Sequence, residues 1–131
     1  MKNGMIVFAA VAVVIVACNH ESAPAKGVTT TGAGVVANDD AVRQLTDARC
    51  DRAKACNELG PNQKYPDHDA CKREVGHDLN ADLRPGECPR GIREQRVGNC
   101  LQEIQNEKCG NFFDKISRNE TCRTGKLCLP D

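Results

Sequence analysis

The sequence predicts an all-α fold: a small, disulfide-stapled bundle of three main helices, a short fourth helix and a turn-rich C-terminal tail. Nine cysteines occur in 131 residues. Apolar residues recur at helical spacing in three segments, and no alternating β-branched run indicates a strand. After position 38 only roughly one residue in six is Leu, Ile, Val or Phe, a core so thin that disulfides are needed to stabilise it.

The first helix is predicted from Asp39 to Leu59, with Asn38 or Asp39 as its cap. Gly60-Pro61-Asn62 is expected to end it, because glycine closes helices and proline cannot continue them. One apolar stripe follows helical spacing: Val42, Leu45, Ala53 and Cys56.

The second helix is predicted to begin after Asp67 as its cap. Its apolar face repeats every four residues, at Cys71, Val75, Leu79 and Leu83. The proline- and glycine-containing segment Arg84–Pro89 then predicts a loop around Cys88.

The third helix is predicted from Ile92 to Lys108, with Val97, Cys100, Leu101 and Ile104 as its apolar face. A short fourth helix is predicted from Phe112, Phe113 and Ile116. The tail from Thr121 to Asp131 contains Gly125 and Pro130 and is expected to be turn-rich.

The N-terminus has the layout of a bacterial lipoprotein signal. Lys2 precedes an apolar run from Met5 to Ala17, and Cys18 follows it directly. This pattern predicts signal cleavage between Ala17 and Cys18 and acylation of Cys18. Ordinary secretion with an incidental cysteine is the alternative, and the run is shorter than the roughly 20 apolar residues that a transmembrane helix needs.

The signal divides the chain into three parts. Residues 1–17 are the predicted signal peptide, and residues 18–37 are the lipidated cysteine and a flexible spacer rich in Ala, Gly and Thr. Residues 38–131 form the cysteine-rich helical domain. The membrane is thus an expected partner through Cys18, and Asn19, which is not an inner-membrane-retaining Asp, favours the outer membrane of a Gram-negative bacterium.

The cysteines after Cys18 are even in number, as complete pairing requires. We predict disulfides among Cys50, Cys56, Cys71, Cys88, Cys100, Cys109, Cys122 and Cys128. Helix geometry excludes the Cys50–Cys56 and Cys100–Cys109 pairings. Cys56 and Cys71 flank the first interhelical loop, and their pairing is the single bridge that we favour. The spacing contains no close cysteine pair, which disfavours a zinc site or a thiol redox motif.

Charge indicates no polyanionic partner. The chain has 18 Lys and Arg against 18 Asp and Glu, spread evenly, which argues against nucleic acid. A protein or small molecule of unknown identity is the remaining kind of partner.

No residue pattern indicates catalysis, and we expect no catalytic residue, metal or cofactor. His68 lies between two aspartates, but adjacent residues point in different directions, and His77 is expected at the surface. Ser117 lacks a nucleophile motif. Glu103 and Glu107, one helical turn apart, are expected on a solvated face.

The chain resembles a family of small cysteine-rich bacterial lipoproteins, a domain of unknown function associated with natural-product biosynthesis clusters. The resemblance covers roughly residues 40–129 and implies an envelope location but no catalytic residues. Its most specific part is the cysteine frame, and the neighbouring residues that carry it are Ala48-Arg49-Cys50-Asp51-Arg52, Gly60-Pro61-Asn62, Lys64-Tyr65, Glu87-Cys88-Pro89, Gly91-Ile92, Cys100-Leu101, Glu103-Ile104, Asn106-Glu107, Cys109-Gly110-Asn111, Cys122-Arg123 and Leu127-Cys128.

Three functions are compatible with these features. The leading hypothesis is a lipid-anchored, non-catalytic binding or accessory module of the envelope, linked to natural-product biosynthesis or export. The second is an envelope enzyme or a subunit of one. The third is a structural or inhibitor-like protein, for which the segment Pro85–Gly91 is the candidate loop.

Overall fold

The computed structural model describes residues 34–130. These residues form a small, mostly helical domain that four disulfides cross-link, as predicted. The helices within this range are α1 (Asn38–Ala55), α2 (His68–Leu83), α3 (Glu94–Asn106), α4 (Phe112–Thr121) and α5 (Thr124–Leu127). Two short strands, β1 (Val35–Val36) and β2 (Ile92–Arg93), form a small antiparallel sheet.

Helix α1 differs from its prediction at both ends. Its N-cap is Ala37, which has no side-chain cap. Asn38, one of the two predicted caps, instead donates its side-chain amide to the carbonyl oxygens of Leu83 (2.6 Å) and Cys88 (3.2 Å). This side chain therefore ties the start of α1 to the end of α2 and to the loop that follows.

The C-terminus of α1 lies at Ala55, four residues before the predicted end at Leu59. Asn57 adopts a left-handed conformation with φ 56°. The amide of Asn57 donates to the carbonyl of Lys54, and the amide of Glu58 donates to that of Ala53. These two bonds form a Schellman motif, in which asparagine can replace the usual glycine, and Gly60 therefore does not end the helix.

Helix α2 begins as predicted. The Asp67 side chain accepts a hydrogen bond from the amide of Ala70 at 2.7 Å, the geometry of an N-cap. The predicted apolar face is buried, and it packs mainly against α1. Its members are Cys71, Val75, Leu79 and Leu83.

Helix α3 is shorter than predicted, because Ile92 and Arg93 belong to β2. Val36 pairs with Ile92 and Val35 with Arg93, and both Val36 and Ile92 are buried. Val35 and Val36, which lie within the predicted spacer, are thus part of this small sheet. The predicted α3 residues Val97, Cys100 and Ile104 are buried, and Leu101 packs against them.

The predicted fourth helix exists as α4, with the Asn111 side chain accepting from the amide of Phe113 at 3.0 Å. None of its residues is buried. The C-terminal tail contains the short helix α5 and closes against the sheet, since Leu129 donates its amide to the carbonyl of Gly91.

Each disulfide joins a different pair of segments. The bond Cys50–Cys71 links α1 to α2, and Cys100–Cys122 links α3 to the end of α4. The end of α1 is bonded to the α3–α4 loop through Cys56–Cys109, and the loop after α2 is bonded to the tail through Cys88–Cys128. The predicted Cys56–Cys71 bridge is therefore wrong, because Cys56 follows the end of α1 and Cys50, within the helix, is the residue that lies beside Cys71.

Within residues 34–130, no helix combines the length and the apolar character needed to cross a bilayer.

Candidate functional site

The predicted lipidation site cannot be placed, because Ala17 and Cys18 lie outside the described residues. The histidines, Ser117, the two glutamates, the loop Pro85–Gly91 and the cysteines from Cys50 onward fall within them.

The two histidines of α2 do not form a common site. They are nine positions apart, which corresponds to about 13 Å along the helix and half a turn around it. His68 Nε2 lies 3.2 Å from Asp51 Oδ1, and His77 Nδ1 lies 3.4 Å from Asp78 Oδ1. Each histidine thus has a different carboxylate neighbour, on opposite sides of α2.

The glutamates of α3 have separate roles. Glu103 accepts a hydrogen bond from the hydroxyl of Ser117 at 3.0 Å. Glu107 is 8% exposed, and its carboxylate accepts from the Arg118 guanidinium at 2.6 Å. The expectation that Glu107 lies on a solvated face is wrong, because α3 ends at Asn106 and the chain then turns toward α4.

The loop Pro85–Gly91 is fastened at several points. Cys88 is buried and bonded to Cys128. Arg90 Nη1 donates to the carbonyl of Pro130 at 2.9 Å.

A cleft of about 520 Å³ lies between α1, α2 and the segment that connects α3 to α4. We define this arginine cleft by three half-buried arginines, Arg49 and Arg52 from α1 and Arg118 from α4. Cys56 and Cys109, which are joined by a disulfide, also line the cleft. Its volume is within the range of small-molecule sites in proteins.

Helix periodicity places two of these arginines together. Arg49 and Arg52 are three residues apart, so they share one face of α1, and Cys56 caps the helix one turn further along. Arg118 reaches the same cleft from α4, which Cys100–Cys122 holds against α3. The site is thus assembled from elements that the disulfides join.

The arginines are incompletely paired. Arg118 donates to Glu107, and Arg52 Nη1 donates to the Cys109 sulfur at 3.1 Å. Among residues 34–130, no carboxylate lies within 4.0 Å of the guanidinium of Arg49 or Arg52. Within the same range, only four buried side-chain nitrogens or oxygens lack a hydrogen-bond partner, and three of them are the Nε atoms of these arginines.

Burial of Arg49, and then the positive charge of Arg118, lowers the pKa of the Arg49 guanidinium below its ordinary value. Both causes act against the charged form. An arginine nevertheless stays protonated in proteins, so the cleft contains cationic charge that is partly removed from water. Such a site favours a ligand that supplies the missing negative charge.

The rest of the lining is mixed in charge. Glu58 is half-buried, and exposed residues of both signs surround the opening: Lys64, Glu74, Asp78 and Lys115. Among residues 34–130, no group of three or more His, Cys, Asp or Glu side chains is arranged to hold a metal ion.

Sequence reasoning did not single out the arginines. Arg49 and Arg52 appeared only as neighbours of Cys50, although their three-residue spacing, and the four residues from Arg52 to Cys56, placed them on one helix face. That signal was available. Arg118 lines the cleft because the disulfide between Cys100 and Cys122 positions α4. The sequence did not determine that pairing.

The fold and the site together define a small, disulfide-cross-linked helical domain with a polar cleft. The sequence profile of a family of unknown function, DUF6184, matches residues 50–130, a range that includes all four disulfides. The chain belongs to this family. No curated protein and no solved structure matches the chain.

Proposed function

We propose that the protein is a lipid-anchored, non-catalytic binding module of the bacterial envelope, and that the arginine cleft is its ligand site. The observation that carries the proposal is the cleft itself. Its volume suits a small molecule, and the buried Nε atoms of its three arginines lack partners within residues 34–130.

The anchor is supported by the sequence alone. Cys18 follows an apolar run in the layout of a lipoprotein signal. Two or more acyl chains on this residue would give stable membrane attachment, whereas one chain gives only marginal binding. Asn19 favours the outer membrane, and the family resemblance supports an accessory role in natural-product biosynthesis or export.

The anchor is tested by the intact mass of the native protein extracted from membranes. We expect loss of residues 1–17 and added acyl mass on Cys18. A Cys18→Ala variant is the control and should lose the acyl mass. Recovery of the wild-type chain without acyl mass would show a secreted protein instead.

The ligand site is tested by the small molecules that the purified native protein releases on denaturation. Glu74 is exposed on the cleft wall, so Glu74→Trp should fill part of the opening and leave the core intact. We expect mass spectrometry to detect a compound released by the wild type and absent from this variant. Arg73→Trp, on the neighbouring exposed position outside the lining, is the matched control and should retain the compound. The same release from both variants would contradict a ligand site in the cleft.

A second candidate is an inhibitor-like role for the loop Pro85–Gly91. Exposed residues in this loop are held by the Cys88–Cys128 disulfide and by the Arg90–Pro130 hydrogen bond, and inhibitory loops are rigid in this manner. Inhibition assays against envelope proteases, with Arg90→Ala for comparison, test this role.

A further inference from the structure

We propose that the arginine cleft recognises a small ligand through one oxyanion group, a carboxylate, phosphate or sulfate, bound by Arg49 and Arg52 beside Arg118. This inference rests on the proposed ligand-binding function and names the chemical class of the ligand.

Positive charge exceeds negative charge inside the cleft. Three half-buried guanidiniums converge there, and only two carboxylates, Glu58 and Glu107, are as enclosed as they are. Glu107 is already bonded to Arg118. Among the described residues, Arg49 and Arg52 have no carboxylate within 4.0 Å, so an acceptor from outside the chain would supply the missing charge.

The arginine side chains of the cleft are also partly desolvated. The Nε atoms of Arg49, Arg52 and Arg118 are buried without partners within residues 34–130. These three Nε–H groups have therefore lost hydration that no acceptor within residues 34–130 replaces. An anion at the terminal nitrogens of Arg49 and Arg52 would restore charge-assisted hydrogen bonds, which are about twice as strong as neutral ones. Guanidinium is also the side chain whose planar fork matches carboxylate and phosphate oxygens.

The rim of the cleft is balanced in charge. Glu74 and Asp78 are exposed at the opening together with Lys64 and Lys115. The rim therefore adds no net charge, and the preference for an oxyanion comes from the arginines inside the cleft.

The test is an NMR titration of the oxidised full-length chain, labelled with ¹⁵N, in detergent. The probes are acetate, inorganic phosphate and inorganic sulfate, each added at constant ionic strength by replacing chloride. The Nε–H signals of the three arginines report on the site directly, because buried Nε–H groups exchange slowly with water. We expect saturable shifts of the Arg49 and Arg52 signals with at least one probe and no shift with chloride alone.

Arg49→Gln is the first variant and Arg52→Gln the second, which keeps the test decisive if one of them fails to fold. Each should weaken probe binding about 10- to 100-fold, the loss of a charge-assisted hydrogen bond. Arg73→Gln removes the same charge from an exposed position outside the cleft and should leave the affinity within about twofold, because an exposed, unpaired charge contributes little. The backbone spectrum and the disulfide masses verify folding of each variant.

Two results would overturn the inference. One is the absence of a saturable shift with all three probes, and the other is an equal loss of binding in Arg73→Gln, which would indicate net charge alone. If the probes fail while Glu74→Trp still abolishes retention of a native compound, the cleft binds a ligand of another class and the proposed function stands. If both experiments fail, the cleft is not a ligand site.

Discussion

Arg118 and Glu107 form the most enclosed ion pair within residues 34–130, with side chains 23% and 5% exposed. Removal of one partner leaves a buried charge without compensation. We expect Arg118→Met to lower the free energy of unfolding by about 3–5 kcal/mol, the usual effect of breaking a buried pair. Urea unfolding of the oxidised chain, followed by far-UV circular dichroism, measures this change.

The double variant Arg118→Met with Glu107→Met separates charge from packing. Replacement of a buried pair by apolar side chains of similar volume is often neutral. The double variant should therefore recover most of the stability that the single variant loses. An equally unstable double variant would show that packing by the Arg118 stem, and not the buried charge, dominates.

Local backbone detail limited what could be predicted at single positions. Glu103 and Glu107 have helical spacing, but Glu107 lies beyond the helix with ψ 126°. The cap Asp67 was predictable because its signal is contained in adjacent residues. Asn38 was not, because its acceptors are 45 and 50 positions away along the chain.

Among the elements, the small sheet depends on Gly91. This residue has φ +86°, and a Cβ added to it would lie 2.8 Å from Val35 Cγ1 of β1. Gly91→Ala should thus combine backbone strain with a steric clash and lower the free energy of unfolding by about 2–3 kcal/mol. Thermal or urea unfolding checks this value.

Two glycines provide controls for Gly91. Gly34 also has positive φ, but an added Cβ would meet nothing within 4 Å, so Gly34→Ala should cost only about 1 kcal/mol of backbone strain. Gly98 lies in α3 with open space around it, and Gly98→Ala should stabilise the chain by up to about 1 kcal/mol through helix propensity. A Gly91→Ala variant no less stable than Gly34→Ala would contradict the clash with Val35.

Helix α4 presents its aromatic residues to solvent. Phe112 and Phe113 are 69% and 78% exposed, and Ile116 is 49% exposed. Phe113→Ser should therefore change the free energy of unfolding by less than about 0.5 kcal/mol, as measured by urea unfolding. Ile104→Ala in α3, where the side chain is fully buried, is the comparison and should cost about 2–5 kcal/mol. A comparable loss from Phe113→Ser would mean that this side chain is covered in solution.

The three main helices were predictable because each carries a long apolar repeat, while the strands were not. Two residues per strand are too few for a period-two pattern to be recognised. Their pairing also joins Val36 to Ile92, far apart in sequence. Helix α5 is likewise too short to show an apolar repeat.

At the scale of the whole molecule, the four disulfides differ in accessibility. Cys109 is exposed and Cys56 is half-buried, whereas each of the other three disulfides includes at least one buried cysteine. The Arg52 guanidinium at Cys109 Sγ also stabilises a departing thiolate. We expect Cys56–Cys109 to be reduced first under limiting dithiothreitol, as shown by alkylation and peptide mapping.

Arg52→Gln supplies the control for this order. It removes the cation beside the leaving sulfur, so reduction of Cys56–Cys109 should slow while the rates of the other three bonds stay unchanged. Labelling of Cys50 or Cys71 before Cys109 would contradict the expected order.

The prediction of a Cys56–Cys71 bond was wrong for a reason of helix length. The two cysteines flank one loop, which suggested that they are neighbours, but the end of α1 at Ala55 decided which cysteine faces α2.

The start of the domain determines how it bears mechanical load. A pull on the chain upstream of Gly34 is first received by β1, and Asn38 passes part of it to the loop that Cys88–Cys128 fastens. Within residues 34–130, the first covalent cross-link along the chain is at Cys50. Only the segment 34–49 can be drawn out as a simple thread, with a fully extended length of roughly 55 Å. Beyond that length the overlapping disulfide loops bear the force. Further elongation requires unfolding of residues between the cross-links or a broken disulfide.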